Sequence, residues 1–387
     1  MALGAWVRTG SVHETKRQMG ITHLLEHLVF KGTARRTAKE IALALESKGG
    51  SIDAYTGREH TAFQAHVLDR DLAIAVDLIH DLMFAPLLRE EDLQLERQVI
   101  YDEIALVQDT PDDQVFEEHN MLLWGQHAYG YPILGTKESI GGLKAENVRA
   151  LHTRSYVPGN IVFAAAGNIE HAALVDMLTA AGWADIPAGP MPPRSQAPPS
   201  PTTPSVAQLR RDTQQTHIVF GSTTIPMADR TRPAYLIVNS LLGGGMSSRL
   251  FQRVREELGL AYAVYAFSSL YSDIGVHGVY LSTGPETAVQ ARQAVTDELQ
   301  KLVQHGIPAD ELKVGKQQLI GQYLLSLESV GARMQRVASR ELYNEPFRTV
   351  DEVIHRIERV SVADALATAR AWFAPERQSI VILGPTK

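Results

Sequence analysis

The sequence predicts an α+β protein made of two domains on one plan, each a mixed β-sheet packed with helices. Three observations carry this. Helical and strand-like patterns intermix within each half of the chain. A proline-rich stretch separates two halves of similar size, and the order of patterns after it repeats the order before it. The 387 residues, 44% of them hydrophobic, are enough for two or three domains with cores of their own.

The elements follow in order. Residues 5–9 are strand-like and lie almost at the start of the chain. Residues 21–30 form an apolar run without Gly or Pro, read as a buried helix. Residues 37–48, TAKEIALALESK, place apolar side chains at helical spacing and stop at Gly49-Gly50. Residues 51–55 and 61–68 alternate as two strands joined by a turn at Thr56-Gly57-Arg58. An amphipathic helix is expected over 71–83, a strongly charged one over 89–107, and a short buried strand over 161–166.

Residues 186–206, IPAGPMPPRSQAPPSPTTPSV, hold 8 of the 19 prolines and read as an extended, semi-stiff linker. The expected domains are therefore 1–185 and 207–387. In the second, helices over 234–242 and 248–258 flank a glycine-rich loop. Strands over 261–268 and 275–283, a long helix over 286–305, further helices to Phe373 and a last strand over 379–383 follow. ESKGGSIDAYTG in the first half and EELGLAYAVYAF in the second share a helix end, a glycine and a strand, which suggests internal duplication.

Composition excludes several classes. The net charge of −7, with no basic run, argues against nucleic acid as the main partner. Without cysteine, neither a disulfide nor a thiolate metal site can form, so any metal must rest on His, Asp or Glu. No apolar run reaches the length of a membrane span and no signal segment opens the chain, so a cytoplasmic protein without membrane association is expected.

The chemistry concentrates in Gly20–Lys31, GITHLLEHLVFK. On a helix His23 and His27, four residues apart, sit one turn above each other on one face. Two imidazoles so placed can grip one metal ion, with Glu26 beside them to act on a water. A single histidine there would read as an ordinary core residue. Two histidines and a glutamate in one apolar run are costly to bury without a partner, and H-x-x-E-H is the inverted form of the zinc-protease helix motif. A catalytic zinc needs a third protein ligand. Glu96 and Glu103, seven apart on the charged helix, share a face and offer one. Spacing alone leaves a solvated charged face, with Asp92, Arg97 and Asp102 nearby, as an equal reading.

HLLEHLVFKGT, ESKGGSIDAYTGREHTAF and ERQVIYDEI together resemble the pitrilysin-like (inverzincin) zinc metallopeptidases, the group of insulin-degrading enzyme and the mitochondrial processing peptidases. Their motif is followed by a distant Glu, and here 75 residues lie between His27 and Glu103. The resemblance covers nearly the whole chain and is strongest over 20–110. It implies one Zn2+ per chain held by His23, His27 and Glu103, Glu26 as general base, and Glu96 orienting the ligands from behind.

In the second half REELGLAY resembles the segment that supplies an Arg and a Tyr over the substrate. This implies that Arg255 holds a substrate carbonyl or terminus and Tyr262 donates to the developing oxyanion. Because these residues lie beyond the linker, a clamshell chamber closing on substrate follows. Residues 51–56 resemble the family's substrate-pairing edge, so Ser51, Asp53 and Ala54 are expected to bind peptide. The family usually has Asn where this chain has Asp53, and a carboxylate cannot donate as that amide does. Gly243-Gly244-Gly245 lacks the Lys-Ser/Thr of a phosphate loop. His60, His66, His119 and His127 show no ligand spacing and read as structural or solvated.

The resulting expectation is a zinc-dependent endopeptidase, a homodimer, acting on unstructured peptides. Its rivals are a catalytic subunit that needs a non-identical partner and a non-catalytic scaffold of the same fold. Both motif sets in one chain oppose the first, and the intact His23, Glu26, His27 and Glu103 oppose the second. Relatives normally have a further strand before the one at 5–9; a genuine loss or a trimmed start would each account for its absence.

Overall fold

The computed structural model describes residues 1–190 and 203–385. In chain order it contains β1 (Ala2–Val7), α1 (Ile21–Val29), α2 (Ala38–Glu46), β2 (Ser51–Thr56), β3 (Thr61–His66) and α3 (Leu72–Phe84). Next come α4 (Glu90–Asp109), α5 (Pro111–Trp124), α6 (Lys137–Gly141), α7 (Ala145–Ser155), β4 (Ile161–Ala166) and α8 (His171–Ala180). The second half runs β5 (Val206–Arg210), β6 (Thr216–Thr224), α9 (Arg232–Gly243), β7 (Ala261–Leu270), β8 (Gly275–Thr283) and α10 (Ala288–His305). It ends with α11 (Ala309–Ser326), α12 (Val330–Leu342), α13 (Val350–Glu358), α14 (Val362–Trp372) and β9 (Ser379–Gly384). Residues 191–202 of the expected linker lie outside the described residues.

The chain forms two compact units. Unit 1 takes Met1–Leu106, the described part of Tyr131–Gln196, and Ser326–Glu345. Unit 2 takes Val107–Gly130 and the described parts of Ala197–Leu325 and Pro346–Lys387. To the division expected at the prolines the structure adds an exchange: α5, from the first half, belongs to unit 2, and α12, from the second, belongs to unit 1.

Unit 1 is built on an antiparallel sheet of order β2-β3-β1-β4. All six residues of β1 are buried because both faces of this inner strand are covered. Leu3, Ala5 and Val7 face the core made by α1, α2, α3, α4 and α7, whereas Ala2 and Trp6 face Met334 and Ala338 of α12. Gly4 makes room for the Trp6 indole, since a Cβ there would lie 2.8 Å from it. β2 is the sheet's edge. α2 starts on a capping box, in which Thr37 Oγ1 accepts from Glu40 N–H and the Glu40 carboxylate accepts from Thr37 N–H at 2.8 Å.

Unit 2 repeats that order as β7-β8-β6-β9 and adds β5, which pairs in parallel with β9 at the edge. Ile218 and Phe220 of β6 face the core of α9, α10, α11 and α14, while Val219 faces Val115 of α5. The strands matching β1 and β4 thus carry an exchanged helix in each unit: α12 on β1 and β4, α5 on β6 and β9. Sequence patterning gives no strand over 206–224. Both β5 and β6 lie in it; the nine residues of β6 are almost wholly buried although four are Thr or Ser, because α5 and the main core cover both of its faces. The helix expected over 248–258 is a seven-residue π-helix, Phe251–Glu257.

Candidate metal centre

α1 is anchored before its chemistry begins. Gly20 precedes it with φ +84°, a conformation that favours glycine, and a Cβ there would meet Leu134 O at 2.5 Å. The buried Glu14 carboxylate accepts from Gly20 N–H at 2.8 Å and from Thr22 N–H at 2.9 Å, satisfying donors that a helix start leaves open. Burial pushes this carboxyl up to about 7, against the backbone donors that hold it down.

On this helix Ile21, Leu24, Leu25 and Leu28 are buried in the core, which turns His23, Glu26 and His27 to the opposite, partly open side. His23 Nε2 and His27 Nε2 lie 3.3 Å apart. α4 brings Glu103 to both: its Oε2 lies 3.7 Å from His23 Nε2 and its Oε1 lies 3.7 Å from His27 Nε2. One ligand atom from each residue falls within 4.8 Å of the others, and among the described residues this is the one such group of His, Asp and Glu.

About two turns earlier on α4, Glu96 is buried behind the pair. His27 Nδ1–H donates to Glu96 Oε2 at 2.8 Å, and Lys31 Nζ pairs with Glu96 Oε1. The carboxylate therefore fixes the imidazole's tautomer and leaves its Nε2 lone pair facing Glu103. Burial, followed by the neighbouring His27, lowers His23 to about 3, so this imidazole is neutral at pH 7. The donor set fits zinc. Two nitrogens bound tetrahedrally at ~2.05 Å would be about 3.3 Å apart, the separation seen here, and the buried Glu103 Oε2 has no hydrogen-bond partner.

Glu26 stands beside the pair and is held by β2: Thr56 Oγ1 donates to its Oε2 at 2.6 Å. Burial raises its pKa, partly opposed by that hydrogen bond. The phenol of Tyr156, fully buried and without a hydrogen-bond partner, is pushed up by burial and then by the charge of Glu26. Ser51, Asp53 and Ala54 lie on β2, whose outer edge no other strand among the described residues of unit 1 covers; Asp53 is exposed. Sequence reading passed over Glu14, Lys31, Thr56 and Tyr156, none of which carries a periodic or motif signal.

Arg255 and Tyr262 come together in unit 2. Tyr262 is the extra residue of a bulge in β7 and is 76% exposed. Arg255 donates to Tyr262 O at 2.9 Å, and its guanidinium stacks 4.5 Å from the Tyr262 ring and 4.7 Å from that of Phe251. The glycines at 243–245 have a packing reason. At Gly243 a Cβ would lie 2.3 Å from Ala266 N, so α9 ends against β7. Of the other histidines, His119 is buried on α5, His60 Nε2 meets Tyr55 OH at 3.3 Å and His127 stacks on Tyr129. Among the described residues no helix is long and apolar enough to cross a membrane.

Comparison with known proteins places this geometry. Residues 1–137 match the family model described as insulinase (peptidase family M16), and residues 142–319 match that of the peptidase M16 inactive domain. An uncharacterized zinc protease of Streptomyces coelicolor is 38% identical over 389 residues, 99% of this chain and 84% of the relative. One from Bacillus subtilis is 34% identical over 386 residues, 100% of this chain and 93% of the relative. A protease from Helicobacter pylori shares the fold with TM-score 0.93 at 20% identity, covering 99% of this chain and 93% of the other. A peptidase M16 inactive domain from Pseudomonas fluorescens does so with TM-score 0.92 at 22% identity, covering 100% and 93%. The chain belongs to the M16 family of pitrilysin-like zinc metallopeptidases.

Proposed function

We propose that the protein is a zinc-dependent endopeptidase that hydrolyses unstructured peptides. The observation that carries this reading is the set of His23, His27 and Glu103 donors with Glu26 beside them, hydrogen-bonded to Thr56. Zinc held by those three residues, one ion per chain, supplies Lewis acidity that polarises the scissile carbonyl and brings the attacking water towards a pKa of ~7. Glu26 Oε1, the oxygen not engaged by Thr56, accepts the proton as the water oxygen bonds to the carbonyl carbon. It returns that proton to the amine nitrogen as the C–N bond breaks. Glu96 keeps the His27 ring in place throughout. Peptide pairs along the open edge of β2 at Ser51, Asp53 and Ala54. In the same reading Tyr262 donates to the oxyanion and Arg255 holds a substrate carbonyl, within a chamber that excludes folded proteins. The proposed setting is a cytoplasmic homodimer.

The test is mass-spectrometric cleavage of a mixture of unstructured peptides by purified protein, alongside Glu26→Gln. Expected are cleavage by the wild type, a loss of at least ~1,000-fold in the variant, and equal zinc in both. Cleavage by both proteins would remove Glu26 as the base. Cleavage by neither, with zinc bound, would move the reading to a subunit that needs a non-identical partner.

A further inference from the structure

We propose that unit 2 carries a second ligand site, for a compact multivalent phosphate, in the cavity lined by Arg230, Arg348, Arg356, Arg359 and Trp372. The cavity measures about 850 Å³, within the ~300–1,000 Å³ usual for small-molecule sites. None of its residues belongs to the metal centre, and the proposal is independent of the peptidase reading.

Charge is the first argument. The whole chain carries −7, yet this cavity is lined by four arginines and a single acid, Asp364; Arg348 and Arg356 also engage groups of the protein itself. That carboxylate already caps α14: its Oδ2 accepts from Ser361 N–H at 2.8 Å and from Ser361 Oγ at 2.7 Å. Convergence is the second. Arg230 comes from the segment before α9, Arg348 from the segment before α13, and Arg356 and Arg359 from the end of α13 and just beyond it. Arg356 also donates to Arg230 O at 3.4 Å, which ties two of these segments together. Arg230 and Arg359 are exposed, and among the described residues neither guanidinium has an ion pair or side-chain hydrogen bond.

The residue types select the ligand. All the basic residues of the lining are arginine, whose planar fork meets phosphate oxygens in pairs. Four guanidinium groups around one cavity, rather than spread along a face, suit a compact polyanion better than an extended acidic peptide. Trp372 adds an aromatic wall, already faced by Arg377 at 5.3 Å. The shared chemistry is a chain of phosphates, whose source is either inorganic polyphosphate or the tail of a nucleotide.

Calorimetric titration of the full chain with inorganic tripolyphosphate at fixed ionic strength tests the site. The comparison is Arg230→Gln/Arg359→Gln, two exposed positions whose change leaves folding intact, as unchanged thermal unfolding without probe will verify. Expected is saturable one-to-one binding, weakened about a hundredfold in the double variant, roughly tenfold for each guanidinium removed from the phosphate oxygens. Competition with ATP separates the sources: equal affinity assigns the site to the phosphate chain alone, and tighter ATP binding adds a base on Trp372. No saturable binding at millimolar probe, or equal binding by wild type and variant, overturns the proposal. Tighter binding of a hexaglutamate peptide than of tripolyphosphate would make the site an acidic-peptide site instead.

Discussion

The same pair of helices closes each sheet, and the two units fill that contact with opposite chemistry. In unit 1, α1 meets α4 through His27, Glu96 and Lys31, with His23 and Glu103 alongside. In unit 2 the corresponding helices are α9 and α11. There Ile237 and Leu241 press on Gly315, where a Cβ would lie 2.8 Å from Leu241 Cδ1. α9 has Ala234, Tyr235, Ile237, Val238, Leu241 and Leu242 buried and no histidine at all. The fold therefore does not need the polar contact. Unit 2 shows that this helix pair closes with apolar side chains, which removes the cost of burying imidazole and carboxylate. Unit 1 keeps the costlier version, as expected where a site is functional rather than structural.

The largest effect breaks that comparison directly. If all metal chemistry resides in unit 1, one ligand change must abolish it. His27→Ala is expected to take zinc from one ion per chain to none, read by elemental analysis after dialysis. Residual stoichiometric zinc would mean that unit 2 holds a site its sequence does not advertise.

Glu14 gives the next effect. Its folded pKa of about 7 lies above the ordinary 4.5, so the folded chain binds a proton that the unfolded chain has already lost above pH ~4.5. Its contribution is complete below pH ~4.5 and lost as pH rises through ~7, a change of about 3 kcal/mol from a shift of this size. Unfolding free energies measured across that range should fall with pH in the wild type and flatten in Glu14→Gln. Equal slopes would mean that the two N–H donors hold the carboxylate ionised throughout.

A smaller effect belongs to unit 2. Gly243→Ala must move α9 away from Ala266, at a cost of about 1–3 kcal/mol, visible as a lower urea midpoint. Zinc content should not change, because no ligand lies in that unit. Loss of zinc in this variant would show that the metal centre depends on the packing of the other unit.

How far the sequence reaches follows from the range of each interaction. His23 and His27 are legible because helical periodicity alone puts them on one face, and Glu96 with Glu103 likewise. That the two helices meet is not local information, and it came from resemblance to a family. The exchange of α5 was illegible: sequence patterning assigns no element to PDDQVFEEHNMLLW, and the strands that bury Val115 are about a hundred or more residues away. β6 was missed because it lies buried on both faces, with Thr and Ser where alternation would show. Thr56 and Tyr156 reach Glu26 across 30 and 130 positions, with no spacing rule to announce them.

Thr56 also supplies the smallest and most discriminating effect. Its hydroxyl donates to the charged form of Glu26 and so holds that pKa below where burial alone would set it. Thr56→Val keeps the shape of β2 and removes the donor. The base then needs a higher pH to ionise, so the acid limb of the kcat/KM profile should move upward, with kcat lower by about tenfold. Zinc content should stay at the wild-type level. A lower rate with an unmoved acid limb would reduce Thr56 to a packing role on the substrate edge. A shifted limb would show that β2, the strand proposed to pair with peptide, also sets the proton affinity of the base. The apolar contact between α9 and α11 in unit 2 offers nothing to tune in that way.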